Sequence, residues 1–248
     1  MLSKELLILA SAGGILPALL WLWFWLREDK KNPEPRKILA LTFLGGMVSV
    51  LPILIFQLSI NSLNEKGILD LFFSIFPLAF LGSGILLIIS YAAVEEIFKF
   101  IACYFTALRG KENNEPLDPI IYMIVAALGF AAIENTFFII SAYLNPPVIG
   151  QEFISSLIVV NIRFISASLI HVASSASIGI FIALSYYKKR STKIFFIILG
   201  VITAISLHSY FNSLIINKGD IGFLLSMPFA WLAIVVLIFL FEKIKRLN

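Results

Sequence analysis

Stretches of about twenty apolar residues, the length that an α-helix needs to cross a bilayer, follow one another along the whole chain. The 248 residues are 60% hydrophobic and only 14% charged, which is far from the balance of a soluble domain. The runs leave no room for a separate soluble domain, so we expect a single transmembrane domain over residues 1–248. The sequence therefore predicts an all-α fold, a polytopic membrane helix bundle of seven to eight transmembrane helices.

The apolar runs have clear limits. We place them at Leu6–Leu26, Ile38–Ile60, Leu69–Ser90, Tyr91–Leu108, Ile120–Leu144, Ser156–Tyr187, Ile194–Ile216 and Ile221–Phe241. A full crossing within 69–82 would give eight spans and leave one basic loop on the wrong side of the membrane. We therefore interpret 69–82 as a short re-entrant or interfacial helix and expect seven full crossings.

Basic residues between the spans predict the orientation. The loop 27–37 holds five lysines and arginines, and further basic residues follow the spans that end near 108, 187 and 241. By the positive-inside rule these loops are cytoplasmic, which puts the N-terminus outside and the C-terminus in the cytoplasm of a multi-pass cell-membrane protein. The net charge of +4 lies in these loops, so the lipid bilayer is an expected partner and nucleic acid is not.

The apolar run Tyr91–Leu108 carries three charged residues, Glu95, Glu96 and Lys99. Each charged side chain inside a membrane span costs roughly 2.5–3.5 kcal/mol on insertion scales. Glu95 and Lys99 are four positions apart on one helix face, so we predict that they pair and that Glu96 stays unpaired. An unpaired carboxylate in low dielectric holds a proton more readily than it does in water. The three residues are either a functional group or a buried ion cluster that only fixes packing.

Further polar residues lie inside other spans. Glu95, Glu134, His171 and His208 are 14 to 17 residues from the cytoplasmic ends of four different spans, a depth of roughly 21–26 Å. This depth lies in the outer half of the hydrocarbon core. Polar residues that only support packing would not be expected to lie at the same depth in the membrane. We therefore predict that these side chains form one site. We expect Arg163, near an outer end, to extend to the interface in a structural role.

Two local patterns add detail to this site. The segment 166–179 is rich in Ser, Ala and Gly, which is typical of a tightly packed helix interface around His171. His208 and Asn212 are four positions apart and share a helix face, where both side chains could donate hydrogen bonds to a developing oxyanion.

Two kinds of hydrolytic chemistry suit such a site. A glutamate with an imidazole can deprotonate water for attack on an amide, and the resulting acid then protonates the leaving nitrogen. Alternatively Glu134, His171 and His208 could hold Zn²⁺ with a second glutamate as base. The aspartates lie at loops or span edges, no HExxH motif occurs, and Leu81 stands where a rhomboid-type Gly-x-Ser-Gly motif begins with glycine. These observations exclude an intramembrane aspartyl dyad, a zincin helix and a rhomboid serine site.

Four motifs in order resemble those of the PrsW family of intramembrane proteases. They are Glu95-Glu96-x-x-Lys99, Gly129-Phe130-x-x-x-Glu134-Asn135, a single His171 in a small-residue helix, and His208-x-x-x-Asn212. The resemblance implies site-1 cleavage of a membrane-anchored protein substrate, such as an anti-sigma factor, near the extracytoplasmic face. The distantly related CAAX prenyl protease group differs, because Lys99 lies one position early and Glu134 stands where that group has histidine. This difference argues against prenylated substrates.

Within this resemblance each residue has an expected role. We expect Glu95 or Glu96 to act as base beside His171 or Glu134, with His208 and Asn212 at the oxyanion. Lys99 would tune the glutamates, and Asn135 would support Glu134. The competing classes are a proton- or ion-coupled transporter whose buried Glu and His are relay groups, and a non-catalytic immunity or assembly factor. No repeat relates the two halves of the chain, which argues against a transporter.

Overall fold

A computed structural model describes residues 3–28, 32–68, 83–146 and 148–246. These residues form helices and connecting loops and contain no strand, so the predicted all-α fold is confirmed. The helices are α1 (Lys4–Glu28), α2 (Arg36–Glu65), α3 (Ser83–Cys103), α4 (Asp118–Leu144), α5 (Glu152–Ile165), α6 (Ala167–Leu184) and α7 (Arg190–Lys245). A π-helical turn, Tyr104–Leu108, continues α3.

Six helical segments of the described residues are long and apolar enough to cross a membrane. They are Lys4–Glu28, Arg36–Glu65, Asp118–Leu144, Glu152–Leu184, Arg190–Ile216 and Leu224–Lys245. Helix α3 has 21 residues, enough to span, but three charges interrupt its apolar run. With α3 the described residues contain seven helical segments long enough to cross a membrane, which equals the number of crossings that the sequence predicts. The predicted re-entrant element 69–82 lies outside the described residues.

Helix α7 contains the last two candidate spans, which fold back against each other. Tyr210 and Phe229 are 19 positions apart in α7, which would separate them by about 28 Å along a straight helix. Their ring centroids are 4.8 Å apart. The segments 190–216 and 224–245 therefore pack side by side, as the two predicted spans would.

The predicted span Ser156–Tyr187 corresponds to Glu152–Leu184, which is one candidate membrane span in the structure. The chain breaks inside it at Ser166, between α5 and α6. Ser166 has φ −135° and ψ −65°, outside the helical region. Its hydroxyl donates to the carbonyl of Ile162 at 2.7 Å, and the indole of Trp21 in α1 donates to the carbonyl of Phe164 at 3.2 Å. The backbone N–H of Ser166 also donates to the Ile162 carbonyl, at 3.1 Å, and Trp21 gives the Phe164 carbonyl a donor from another helix. These hydrogen bonds make the break tolerable inside the membrane.

Helix α4 is the centre of the bundle, since nearly every residue from Asp118 to Ala132 is buried. Two glycines allow α2 to approach it closely. A β-carbon on Gly129 would lie 2.0 Å from the carbonyl oxygen of Phe43, and one on Gly46 would lie 2.0 Å from the carbonyl oxygen of Ala126. Backbones in such contact require residues without side chains. This packing fixes the position of α4 along α2. Glu134 and Asn135 lie on α4, so their positions are fixed with it.

Replacing Gly129 by alanine should therefore force α2 and α4 apart. We expect Gly129→Ala to lower the free energy of unfolding by roughly 1–3 kcal/mol, the usual cost of overpacking. Gly84→Ala is the matched control, because its β-carbon meets no described atom within 4 Å, and it should be neutral or slightly stabilising. Unfolding of the detergent-solubilised protein by SDS measures both. Equal stability of the two variants would contradict the close approach.

Candidate active site

The carboxylate of Glu96 is fully buried between three helices. One oxygen is 2.5 Å from Nζ of Lys99 and 2.8 Å from Nδ1 of His208. The other accepts a hydrogen bond from the hydroxyl of Ser175 at 2.6 Å. Donors from α3, α6 and α7 thus converge on one side chain, and its hydrogen-bonding capacity is largely used by the protein itself.

The prediction that Glu95 pairs with Lys99 and that Glu96 stays unpaired was wrong. Positions three and four apart both lie on one helix face, so either glutamate could reach Lys99. Glu96 is the partner because it faces α6 and α7, where Ser175 and His208 supply further donors. Glu95 instead faces α2, where the side-chain amide of Gln57 donates to its Oε1 at 2.9 Å.

Glu95 keeps one carboxylate oxygen free of hydrogen bonds. Its Oε2 is buried, has no hydrogen-bond partner among the described residues and lies 3.5 Å from Nε2 of His208. Unlike Glu96, Glu95 also lines a cavity. The two neighbouring glutamates therefore differ in kind: Glu96 is held by the protein, and Glu95 has an oxygen available to water, substrate or a metal ion.

Lys99 and His171 connect Glu96 to Glu134. Nζ of Lys99, fully buried, lies 3.2 Å from Nδ1 of His171 and 4.6 Å from the ring centroid of Phe130. An ammonium group only donates, so His171 accepts at Nδ1 and carries its own proton at Nε2. That nitrogen lies 2.9 Å from Oε2 of Glu134. The lysine therefore sets the tautomer of His171.

Arg163 holds Glu134 from the opposite side. Its guanidinium pairs with the Glu134 carboxylate, and its Nε donates to Oδ1 of Asn135 at 2.5 Å. It also lies 3.8 Å above the ring centroid of Phe138. The predicted interfacial position of Arg163 was wrong, because Glu134 and Asn135 offer acceptors inside the bundle. Asn135 completes this link by donating to the hydroxyl of Ser168 at 3.1 Å.

An apolar cavity of about 660 Å³ opens beside these groups. Its walls come from α2, α3, α4, α5, α6 and α7, and most of the lining is hydrophobic, as at Ile53, Phe137 and Phe211. Its polar lining includes Glu95, Glu134, His171, His208 and Asn212, together with Gln57 and Arg163. Asn212 lies one helical turn beyond His208 on this wall, and Glu96 and Lys99 lie behind it. Such a cavity suits an apolar peptide segment whose main chain meets the polar groups.

Comparison with known proteins places this arrangement in a family. The model of a family described as PrsW family intramembrane metalloprotease matches residues 34–241. The chain belongs to the PrsW family.

Relatives named Protease PrsW agree with this assignment. The protein of Oceanobacillus iheyensis is 32% identical over 132 residues, 52% of this chain and 54% of that protein. The protein of Geobacillus kaustophilus is 29% identical over 130 residues, 52% of each chain. The chain thus matches about half the length of these two relatives, whereas the protein of Halalkalibacterium halodurans is 23% identical over 245 residues, 95% of each chain. No solved structure matches.

The donor set of this PrsW-family chain fits a metal ion. Glu95, His171 and His208 each offer one ligand atom, and these atoms all lie within 4.8 Å of one another. His171 would bind through Nε2, which would have to release its proton and its hydrogen bond to Glu134. Two imidazoles and a carboxylate with a fourth position open is the pattern of hydrolytic zinc. Oε2 of Glu95 is buried without a partner, and Glu96 holds His208 through Nδ1 and so leaves Nε2 available, as carboxylates behind metal-binding histidines do. The carboxylate in this set is Glu95, whereas the sequence analysis predicted Glu134 as the third ligand. The ligand role of Glu134 stays a prediction.

The sequence interpretation missed Ser175 and Gln57, which contact the predicted residues, and gave Arg163 a wrong position. Ser175 is four positions after His171 and so on the same helix face, a spacing that could have indicated it. Gln57 is an amide in an otherwise apolar part of α2, which is also a visible signal. Arg163 was noted, but nothing in the sequence shows that the break at Ser166 lets α5 direct it toward Glu134.

The different environments of the two PrsW-family glutamates predict different effects on stability. Glu96→Gln leaves Lys99 buried without its charge partner, which should cost roughly 3–5 kcal/mol. Glu95→Gln breaks no ion pair with lysine or arginine and keeps an acceptor for Gln57, so we expect a loss of less than about 1 kcal/mol. Unfolding by SDS in mixed micelles measures both variants.

A double variant provides the control for this prediction. Glu96→Gln with Lys99→Met removes both buried charges and should recover much of the stability lost in Glu96→Gln alone. Equal losses for Glu95→Gln and Glu96→Gln would contradict the proposed separation of the two glutamates.

Proposed function

We propose that this chain is an intramembrane endopeptidase that hydrolyses a peptide bond of a single-span membrane protein in the cavity beside Glu95. The observation that carries the proposal is the free, buried Oε2 of Glu95 next to His208 at the wall of an apolar cavity. Family membership supports proteolysis over the transporter alternative. The family match over residues 34–241 also supports a single protease domain.

The reaction adds water across the amide bond. A proton leaves water for a carboxylate, the water oxygen bonds to the carbonyl carbon, and the carbon–nitrogen bond breaks as the nitrogen receives that proton. Glu96 is not the proton acceptor, because Lys99, His208 and Ser175 already occupy its carboxylate. It positions His208 instead.

Metal binding, proton transfer and stabilisation of the oxyanion fall to different groups on the cavity wall. Glu95, His171 and His208 would hold a zinc ion, which when bound lowers the pKa of water and polarises the carbonyl. Glu134 is then the carboxylate on the cavity wall that takes and returns the proton, and Arg163 keeps it oriented. Asn212 donates from the same wall to the oxygen that becomes negative.

The proposed topology places cleavage near the extracytoplasmic face. With the N-terminus outside and the C-terminus in the cytoplasm, the site residues lie roughly 21–26 Å from the cytoplasmic boundary. A substrate anchored by one span would present the outer part of that span to the cavity. We further propose that the natural substrate is a membrane-anchored regulator such as an anti-sigma factor, which the resemblance of the motifs supports.

Removing the charge of Glu95 tests the function directly. We expect Glu95→Gln to lower cleavage of a single-span test substrate in proteoliposomes by at least about 100-fold, the usual scale for a lost acid–base or metal-binding group. Glu28→Gln is the matched control, since this residue lies at the partly exposed end of α1, and its activity should stay within about twofold of wild type. Retained cleavage by a folded Glu95→Gln variant would remove Glu95 from the mechanism.

Metal content tests the ligand set. We expect about one zinc ion per chain in the purified protein, loss of cleavage on chelation, and loss of zinc in His208→Ala. Elemental analysis and chelator titration of the same preparation measure these effects. Full activity of metal-free protein would contradict the zinc ligand set and leave Glu95 as the direct acceptor of the water proton.

A further inference from the structure

Helix α2 contributes one polar side chain to the candidate site. Gln57 donates from Nε2 to Oε1 of Glu95 at 2.9 Å, and it lies on the cavity wall. None of the recognised motifs includes it, because it lies 38 positions before Glu95 on a different helix. A carboxamide inside a membrane protein is costly unless it is hydrogen-bonded, so its contact with Glu95 is favoured energetically.

The position of Gln57 is fixed by packing on both sides. Val50 and Ile53, earlier in α2, form a buried cluster with Phe130 of α4, against which Phe98 of α3 packs. Next to Gln57, the rings of Phe56 and Phe98 lie 5.3 Å apart. Rotation of α2 is therefore restricted by α3 and α4, and the amide of Gln57 is directed toward Glu95.

The hydrogen bond determines which oxygen of Glu95 remains available. With Oε1 held by Gln57, Oε2 is the atom that faces Nε2 of His208. A carboxylate without this bond could rotate about its last torsion and present either oxygen. Partners of this kind orient metal-binding and catalytic carboxylates in many sites.

We propose that Gln57 is a positioning residue, whose amide holds Glu95 so that Oε2 faces His171 and His208. This inference rests on the proposed function, because Glu95 needs a fixed orientation only if it binds a metal ion or water. Gln57 acts through Glu95 and not on the substrate. It should therefore affect turnover and zinc binding and leave substrate binding unchanged.

The test compares Gln57→Met with a control on the same pair of helices. Methionine keeps the length of glutamine and lacks its donor. Asn61→Leu is the control, since Asn61 accepts a hydrogen bond from Tyr91 of α3 one turn further along α2 and is not on the cavity wall. Both variants lose one contact between α2 and α3, but only Gln57→Met frees Glu95.

Two measurements distinguish the possible roles. For Gln57→Met we expect kcat and zinc affinity to fall about 10–100-fold with KM within about twofold of wild type, while Asn61→Leu changes neither. Zinc affinity is measured by competition with a chromophoric chelator and needs no substrate. Wild-type kcat and zinc affinity in Gln57→Met would overturn the inference, as would a rise in KM alone, which would indicate a substrate contact. Failure of the proposed function would appear in the wild-type protein, as absence of cleavage.

Discussion

The buried pair of Glu96 and Lys99 is the interaction on which the rest of the site depends. Both side chains are fully buried, and each charge would be very costly there alone. The pair is stable because the donors of Ser175 and His208 also reach Glu96, and because Lys99 also contacts His171. This network fixes α3, α6 and α7 relative to one another and sets the orientation of both histidines.

The two adjacent glutamates can have separate roles because of this network. Glu96 is held so completely that it orients His208 and does not contact the cavity. Glu95, one position earlier and about 100° round the helix, faces α2 and the cavity with one oxygen free. Of two consecutive acidic residues, one is thus held by the protein and the other has a carboxylate oxygen without a hydrogen bond at the cavity. The second carboxylate of the cavity wall, Glu134, is oriented in the same way by Arg163 and His171.

The sequence was sufficient to predict the class of fold, because apolar run lengths and basic loops report membrane crossings directly. It also indicated that Glu95, Glu134, His171 and His208 share one depth, since depth follows from counting residues along each span. It could not decide which glutamate pairs with Lys99, because both spacings are allowed on one helix and the choice depends on donors from α6 and α7. The break at Ser166, and with it the position of Arg163, depends on Trp21 of another helix.

The central claim is that peptide bonds are cleaved at this polar cluster in the outer half of the membrane. Mapping the cleaved bond tests it most directly. Purified protein reconstituted with a single-span test protein should produce new termini, identified by mass spectrometry, that lie in the outer half of the substrate's apolar segment. New termini in the cytoplasmic half, or on the cytoplasmic side of that segment, would contradict the proposed depth and orientation of the site.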